Sequence, residues 1–413
     1  MAEPVSAASS LPVLTEIAPV AGFRIGSVDA GLRKKAAPDL TLIAADRPCV
    51  TAAVFTTNRV QAAPVIRDRA LVADHPDRLR AVLINAACAN ACTGDEGIRN
   101  AEQTAAWVAE VLGCTADEVL TMSTGVIGVQ LPLLNFQRAI PNLTGTIRPD
   151  GWADAARAIM TTDTRPKMAS VTVNGYTIAG ICKGAGMIAP NMATMLCSIV
   201  TDADVTPAQL QRSLGQAVAA SFNQVVIDGD MSTNDTVLLL ANGASGVKIG
   251  DDPSRFMFTG ALYQVCKALA QAVVRDGEGV TRFITLHVTH ATTPEDAHQI
   301  ANTIATSPLV KTAFYGGDAN WGRILAAAGR AGVELQPEKT ALWYEAGEKA
   351  PGGGLQLLAN GTPLRYDEDA ANAIAASPEV TVTLDLGLGD GPATVWTCDL
   401  SHEYVDINGH YRT

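Results

Sequence analysis

The stretch Lys183-Gly184-Ala185-Gly186-Met187-Ile188-Ala189-Pro190-Asn191-Met192-Ala193-Thr194-Met195-Leu196 joins a glycine-rich loop to an apolar run. Its two glycines have no Cβ and its Pro-Asn pair favours turns, so this loop can adopt left-handed backbone conformations. From Met195 the chain reads Met-Leu-Cys-Ser-Ile-Val, a short run that is typical of a buried strand. The sequence therefore predicts that the hydroxyl of Thr194 lies where a loop becomes a strand.

A threonine at such a junction can cut its own chain. Its hydroxyl attacks the carbonyl of Ala193, the acyl group shifts from nitrogen to oxygen, and hydrolysis of the ester leaves Thr194 as a new chain terminus. The exposed α-amine has a reference pKa of roughly 7.7 to 8.0, so it can take the hydroxyl proton near neutral pH. The same residues also fit a plain turn that the threonine caps, and the pattern alone leaves both interpretations open.

The whole stretch resembles the cleavage segment of the ornithine acetyltransferase family, the bifunctional glutamate N-acetyltransferases of arginine biosynthesis. The pattern of that family is K-G-(S/A)-G-M-I-x-P-N-M-A-T-M-L, and every position of it is filled here. Further family-like segments run almost from end to end of the chain. The resemblance implies cleavage between Ala193 and Thr194, which gives an α chain of residues 1–193 and a β chain of residues 194–413.

The length of the chain and the periodicity of its apolar residues indicate the fold class. A chain of 413 residues, 47% of them hydrophobic, is long enough for two domains or for one elaborate layered domain. Periodicity alone predicts a mixed α/β (α+β) fold. The resemblance implies more: a layered helix–sheet–sheet–helix sandwich of the self-processing aminopeptidase and ornithine acetyltransferase type. It also implies a smaller C-terminal domain whose boundary lies near residues 280–300.

Local patterns predict the secondary structure that surrounds this segment. Alternating or continuous apolar runs bounded by turn residues indicate strands, and a polar residue before a proline indicates a capped helix start. The predicted elements are strands at 40–44, 49–55 and 80–85, a strand that begins at 119 and ends in a hydroxyl-glycine loop by 128, a helix at 95–112 closed by Gly113, a hairpin through Asn174-Gly175, a helix capped by Thr206, a helix capped by Thr293, and a second hairpin joining 380–386 to 393–398.

A hydroxyl followed by a glycine comes directly after one predicted strand, at Ser123-Thr124-Gly125. Acyl transfer needs donors aimed at the oxygen that becomes negative, and a glycine lets a backbone N–H approach it without a side chain in the way. The spacing alone favours a simple strand-terminating turn. The resemblance implies that Thr124 and Gly125 form the oxyanion hole.

Substrate contacts are implied by the resemblance at several separated positions. They are Thr161, Lys183, Thr194, Glu278, Asn408 and Thr413. Thr162 and Thr164 remain alternatives to Thr161, because the whole Thr-Thr-Asp-Thr run matches. Charge permits two roles for Lys183: it can pair with the substrate α-carboxylate, the role we favour, or lower the pKa of the Thr194 amine. A carboxylate such as Glu278 suits an amino-acid ligand with a side-chain ammonium.

Two segments depart from simple expectations. Ala86 and Cys88 replace the family's serine and asparagine, which puts any hydroxyl or amide role at those places in doubt. The run from Asp228 to Thr236 is rich in oxygen ligands but lacks the glutamate of an EF-hand, so it predicts a structured loop near the site and no metal.

The eight cysteines are scattered along the chain. Cys49 and others lie in apolar runs, which indicates reduced, mostly buried thiols.

The composition of the chain limits the classes of partner that the protein can bind. With 30 basic against 42 acidic residues the net charge is −12, which argues against nucleic-acid binding as the main role. No segment is long and apolar enough to span a bilayer, and the N-terminus lacks a secretory pattern, so we expect a cytoplasmic protein. The resemblance implies no cofactor, acetyl-CoA as a possible second acetyl donor, and an assembly of two α and two β chains.

These observations lead to one main hypothesis. An acetyl group passes from N-acetyl-L-ornithine to Thr194 and then to L-glutamate in a ping-pong reaction. The alternative is a self-processed aminopeptidase or amidohydrolase, in which water resolves the acyl-enzyme. A non-catalytic scaffold is the third interpretation, and an uncut chain of 43.0 kDa would favour it.

Overall fold

The computed structural model of the protein describes residues 13–189 and 195–410. Ala193, Thr194 and Thr413 therefore lie outside the described residues. The described chain divides into two compact units. The first comprises residues 13–184, 195–223 and 231–273, and the second comprises residues 185–189, 224–230 and 274–410.

The first unit is built on eight strands. They are β1 (Phe23–Val28), β2 (Leu40–Phe55), β3 (Leu79–Asn85), β4 (Val119–Ser123), β5 (Lys167–Val173), β6 (Tyr176–Lys183), β7 (Leu196–Thr201) and β8 (Thr236–Ala241). They run in the order β4-β3-β2-β8-β7-β6-β5, with β1 also paired to β2. The 16-residue strand β2 belongs to two sheets: its first half pairs with β1 and β3, and residues from Val50 pair with β8. The two runs predicted at 40–44 and 49–55 are thus one strand with an exposed middle at Asp46, Arg47 and Pro48.

The two sheets of this unit pack face to face. Ile43 and Ile84 on one sheet share a buried cluster with Ile181 and Leu238 on the other. Apolar side chains that alternate along the strands supply this core, as expected for aligned sheets. Helices cover both outer faces: Phe136 packs on the β1–β4 sheet, and Gly180 brings β6 against the helix that carries Leu269. The layered helix–sheet–sheet–helix prediction is confirmed.

Six helices accompany these strands. They are α1 (Ala63–Asp74), α2 (Gly94–Leu112), α3 (Leu133–Leu143), α4 (Trp152–Ala158), α5 (Pro207–Ala219) and α6 (Asp252–Arg275). Helix α2 ends at Gly113 with φ of 67°, a left-handed cap that confirms the prediction. Thr206 precedes α5 as predicted, but its side chain makes no cap hydrogen bond. Pro207 at the first helical position lacks an N–H, so one fewer donor needs a cap.

The second unit centres on a six-stranded sheet with its own core. Its strands are β9 (Phe283–Ala291), β10 (Ala341–Ala346), β11 (Leu355–Ala359), β12 (Thr362–Pro363), β13 (Glu379–Asp385) and β14 (Gly391–Cys398), in the order β12-β11-β10-β13-β9-β14. Its helices are α7 (Pro294–Ala305), α8 (Pro308–Gly316), α9 (Trp321–Gly329), α10 (Glu368–Ala375) and α11 (His402–Gly409). Thr293 caps α7 through Asp296 N–H, as predicted.

The hairpin predicted between 380–386 and 393–398 is wrong. Both strands form, but β9 lies between them: β13 pairs with β9 in parallel and β14 pairs with it antiparallel. A short connection between two strands does not reveal a third strand that inserts from elsewhere in the chain. The hairpin through Asn174-Gly175 is confirmed, with φ of 50° and 86° at its two turn residues.

Two further sequence predictions concern burial. Cys49, Cys197 and Cys266 are buried free thiols, as their apolar surroundings indicated. No helix among residues 13–189 and 195–410 combines the length and apolar character that crossing a bilayer requires.

Candidate active site

The loop after β4 carries the two residues predicted to form the oxyanion hole, Thr124 and Gly125. Thr124 N–H donates to the carbonyl of Asn85 at 3.0 Å, which continues the pairing of β3 with β4. Thr124 also forms an isolated antiparallel bridge with Cys88, which places the backbone of this loop beside Ala87. Gly125 has φ of 132°, and a Cβ there would lie 2.1 Å from the carbonyl carbon of Ala87. Only glycine fits, so the geometry suits a backbone N–H that must approach a ligand closely.

The side chain of Asn234 holds this loop in place through hydrogen bonds. Its side-chain amide donates to the carbonyls of Ala89 at 2.7 Å and of Ser123 at 2.8 Å. The residue is buried, with 6% of its surface exposed, so these two bonds are shielded from water. The residue before Thr124 therefore has a fixed position.

The next residue, Asp235, holds the start of β7. One carboxylate oxygen, Oδ1, accepts the N–H of Met195 at 3.0 Å, and Thr236 N–H donates to the Met195 carbonyl at 3.0 Å. Asp235 is fully buried, and this burial raises its pKa well above the ordinary value, against the opposing effects of the Met195 N–H and the positive charge of Lys183. Consecutive residues thus attach the oxyanion loop and the first described residue after Thr194 to one segment.

Asp163 joins two predicted substrate contacts. One of its oxygens accepts Gly184 N–H at 2.7 Å and Lys167 Nζ at 2.6 Å, and the other accepts Thr161 N–H at 3.0 Å. Burial alone would raise the pKa of Asp163, but the charges of Lys183 and Lys167 lower it to about 2. Thr161 and the end of β6 consequently meet at one carboxylate.

One of the two alternatives to Thr161 differs from it in exposure. Thr162 is half-buried, as Thr161 is, whereas Thr164 is exposed. The N–H of Thr161 donates to Asp163. The side chain of Lys183 itself is buried, with 4% of the residue exposed.

In the second unit, Glu278 and Asn408 are in direct contact. Asn408 Nδ2 donates to Glu278 Oε2 at 2.6 Å, and Glu278 N–H donates to the Ala185 carbonyl at 2.8 Å. A Cβ on Gly186 would come within 2.4 Å of Glu278 Oε2, so a side chain at this position would displace the carboxylate. Helix α11 therefore delivers Asn408 to the carboxylate, and the segment before the predicted cleavage site lies against the same residue.

Asp228 holds the rest of that segment. It accepts the N–H groups of Met187 at 2.5 Å and Ile188 at 2.8 Å, and Tyr404 of α11 donates its hydroxyl at 3.1 Å. Burial raises the pKa of Asp228, and the Met187 N–H acts in the opposite direction. Residues 185–189 are thus tied to the second unit by several backbone hydrogen bonds.

Sequence reasoning missed the residues that hold the site. Asp163, Asn234 and Asp235 had been assigned no role, although two of them belong to the oxygen-rich run from Asp228 to Thr236. Their oxygens and amides bind backbone groups, and no cluster of His, Cys, Asp or Glu among the described residues is arranged to hold a metal ion. A signal was present: polar residues placed just before an apolar strand, where a buried carboxylate must find donors.

Comparison with known proteins gives consistent matches. The model of the ArgJ family matches residues 24–413. The arginine biosynthesis bifunctional protein ArgJ of Geobacter sulfurreducens is 46% identical over 400 residues, covering 95% of this chain and 100% of the relative. The mitochondrial protein of the same description from Heterostelium pallidum is 43% identical over 409 residues, covering 95% and 94%. A solved structure described as arginine biosynthesis bifunctional protein argJ, from Bacillus halodurans, is 34% identical with a TM-score of 0.47, covering 51% of this chain and 96% of that one.

Proposed function

This chain belongs to the ArgJ family of arginine-biosynthesis acyltransferases, and from that premise we propose that it transfers the acetyl group of N-acetyl-L-ornithine to L-glutamate. The nucleophile is Thr194, exposed as a chain terminus by cleavage after Ala193. The observation that carries the proposal is the loop after β4, where a Cβ on residue 125 would lie 2.1 Å from the carbonyl carbon of Ala87, so that only glycine fits next to Thr124. The Thr124 hydroxyl and the Gly125 N–H supply the oxyanion stabilisation that acyl transfer requires.

The reaction proceeds in two halves. Thr194 Oγ attacks the acetyl carbonyl of N-acetyl-ornithine while the Thr194 amine takes the hydroxyl proton, and the oxyanion binds at Thr124 and Gly125. The intermediate collapses to acetyl-Thr194 and releases ornithine, whose amine receives the proton. The amine of glutamate then attacks the ester through a second tetrahedral intermediate. This half gives N-acetyl-glutamate and restores the threonine.

Substrate recognition is divided among charged groups. Lys183 pairs with the substrate α-carboxylate, or alternatively lowers the pKa of the Thr194 amine; we favour the first role because a buried ammonium next to Asp163 is held in place. Glu278 pairs with the side-chain ammonium of ornithine, and the Asn408 amide orients that carboxylate. Thr161 and Thr413 complete the predicted contacts.

The assembly and location follow from the same proposal. The cut yields an α chain of residues 1–193 and a β chain of residues 194–413, and we expect two of each in the active enzyme. Acetyl-CoA is a possible second donor, which would fit the word bifunctional in the relatives' names. We propose a cytoplasmic location, since the Geobacter relative is named without an organelle, whereas the Heterostelium relative is named mitochondrial. Cell fractionation tests this location.

The decisive experiment supplies purified enzyme with N-acetyl-ornithine in the presence and absence of glutamate. Transfer predicts that N-acetyl-glutamate and ornithine form in equal amounts and that little acetate appears without glutamate. Free acetate as the main product in both cases would instead identify a hydrolase. An intact-mass measurement on the same sample shows whether the chain is cut between Ala193 and Thr194.

A further inference from the structure

The uncut chain poses a chemical problem that the mature enzyme does not. In the proposed reaction, the Thr194 amine accepts the proton of its own hydroxyl. Before cleavage, that nitrogen is the amide of the Ala193–Thr194 peptide bond and has no basic lone pair. A different group must therefore accept the proton when the chain first cuts itself. This inference rests on the proposed function.

We propose that the Asp235 carboxylate accepts the Thr194 hydroxyl proton during self-cleavage and returns it to the Thr194 nitrogen. Asp235 Oδ1 already holds the N–H of Met195, the residue bonded to Thr194. Its other oxygen, Oδ2, is buried and makes no well-formed hydrogen bond within the described ranges, although the hydroxyls of Thr56 and Ser232 also act on this carboxylate. A buried carboxylate oxygen without a well-formed hydrogen bond is costly, so its retention on the residue that holds Met195 points to a use.

Each step is balanced in atoms and protons. Asp235 Oδ2 takes the hydroxyl proton as Thr194 Oγ bonds to the carbonyl carbon of Ala193, which gives a tetrahedral oxyanion. The C–N bond then breaks, and the departing nitrogen takes the proton from Asp235. The products are an ester between Ala193 and Thr194 Oγ and a free Thr194 amine. Water hydrolyses this ester, which leaves a carboxylate on Ala193 and the hydroxyl on Thr194.

The surroundings of Asp235 suit this role better than those of the neighbouring carboxylate. Burial raises the pKa of Asp235 and so makes its ionised form a stronger base. Lys183 on β6 is the charged group that acts on it, while Thr56 after β2 and Ser232 in its own loop are uncharged. Asp163, with a pKa of about 2 and both oxygens occupied, is a weak base.

The test follows cleavage of the full-length chain made in a cell-free translation reaction, labelled in a short pulse. The 43.0 kDa precursor and its two products are separated on a denaturing gel at successive times. Asp235→Asn keeps an amide oxygen for the Met195 N–H but removes the base, so we expect cleavage to slow at least about 100-fold. Asp39→Asn is the matched control, because Asp39 is also buried and accepts backbone N–H groups, from Ala30, Leu32 and Arg33. It should cut at the wild-type rate; equal slowing of both variants would overturn the proposal.

The pH profile distinguishes a proton acceptor from a structural residue. Wild-type cleavage should slow as the pH falls through the raised pKa of Asp235 and level off above it, whereas the residual rate of Asp235→Asn should show no such plateau. An identical profile in both would overturn the proposal. Hydroxylamine, which cleaves esters, should not restore cleavage of Asp235→Asn, because the block precedes the ester. Restoration would place the role of Asp235 after that step and refute the inference.

The Thr194→Ala variant distinguishes failure of the proposed function from failure of the proposed role of Asp235. If it is cut, the nucleophile assignment and the proposed function both fail. If it stays uncut while Asp235→Asn cuts at the wild-type rate, only the inference about Asp235 fails. The expected result is that both variants remain at 43.0 kDa in the pulse while Asp39→Asn is processed.

Discussion

The two units use weakly exposed carboxylates in different ways. In the first unit, Asp163 and Asp235 accept backbone N–H groups, and Asp163 also accepts the ammonium of Lys167 on strand β5. In the second unit, the Glu278 carboxylate accepts the amide of Asn408, and Asp228 accepts two backbone N–H groups and the hydroxyl of Tyr404. The first arrangement ties strands of one sheet to the loops that carry the two carboxylates, and the second depends on the docking of the short helix α11.

This difference suggests a division of labour between the units. Backbone held by the buried amide of Asn234 leaves the Thr124 hydroxyl and the Gly125 N–H in fixed positions, which serves a transition state. In the second unit, the Glu278 carboxylate is paired with the amide of Asn408, which is an exposed residue. The carboxylate can therefore exchange this partner for a ligand. We therefore expect changes in the first unit to lower kcat and changes in the second to raise KM.

The largest expected effect is that of Thr194→Ala. The variant lacks the hydroxyl that both cuts the chain and carries the acetyl group, so it should remain a single 43.0 kDa chain and show no transfer. A denaturing gel and an assay with N-acetyl-ornithine and glutamate measure the two outcomes. Normal turnover by this variant would remove the chemical role from the first unit altogether.

Thr124→Val should give the next largest effect. Losing one donor to an oxyanion lowers kcat by about 10² to 10³, and the nearly isosteric valine leaves the packing intact. The rate of each variant is divided by the fraction of its chain that is cut, as measured on a gel. Thr121→Val is the control: Thr121 Oγ1 is buried without a hydrogen-bond partner among the described residues, so its loss should leave kcat unchanged. A change in KM alone for Thr124→Val would contradict the division of labour.

Acid should weaken the first unit through Asp163. Its pKa of about 2 lies below the ordinary 3.8, so its contribution to stability is present above 3.8 and is lost as the pH falls through about 2. The difference in unfolding free energy between the wild-type Asp163 and Asp163→Asn should shrink by about 2 kcal/mol between pH 4 and pH 2. Urea titrations of both in the uncut Thr194→Ala background measure it. A constant difference would show that Lys167 and Lys183 do not stabilise the ionised carboxylate.

The smallest effect is expected in the second unit. Glu278→Gln removes the charge proposed to bind the ornithine ammonium, so KM for N-acetyl-ornithine should rise about tenfold with kcat little changed. Deletion of residues 408–413 should likewise raise KM, or abolish turnover, without blocking cleavage. Glu403→Gln, at an exposed position of α11, is the control and should leave both constants unchanged. A fall in kcat alone for Glu278→Gln would place this residue with the reacting groups instead.

Local sequence patterns predicted much of the secondary structure. Asn174-Gly175 fits the left-handed turn of a hairpin, and Gly113 fits the left-handed end of α2, because both are set by backbone sterics within a few residues. The strand after Thr194 was also predicted from its apolar run. These features depend on neighbours in the sequence, which one chain displays directly.

Features that depend on distant partners were not predictable in this way. The insertion of β9 between β13 and β14 joins segments about a hundred residues apart, and a single sequence carries no mark of that pairing. The partners of Asp163 and Asp235 could not be predicted, because the donors that satisfy these carboxylates come from other elements. The roles of Thr124 and Gly125 came from family resemblance; the structure adds that the close approach of Ala87 leaves room only for glycine at position 125.

The position of the predicted cut within the first sheet has a consequence for the life of the molecule. Strand β6 belongs to the α chain and β7 to the β chain, yet they share six register pairs, from Ile178 opposite Thr201 to Lys183 opposite Leu196. Once the peptide bond is gone, this ladder, the second ladder between β2 and β8, and the surrounding core keep the pieces joined. To refold, the denatured mature enzyme would need its separate α and β chains to associate in a bimolecular step, so its rate of renaturation should depend on protein concentration. The uncut precursor, in contrast, folds as a single chain. Self-cleavage would thus be a one-way step, taken after folding is complete.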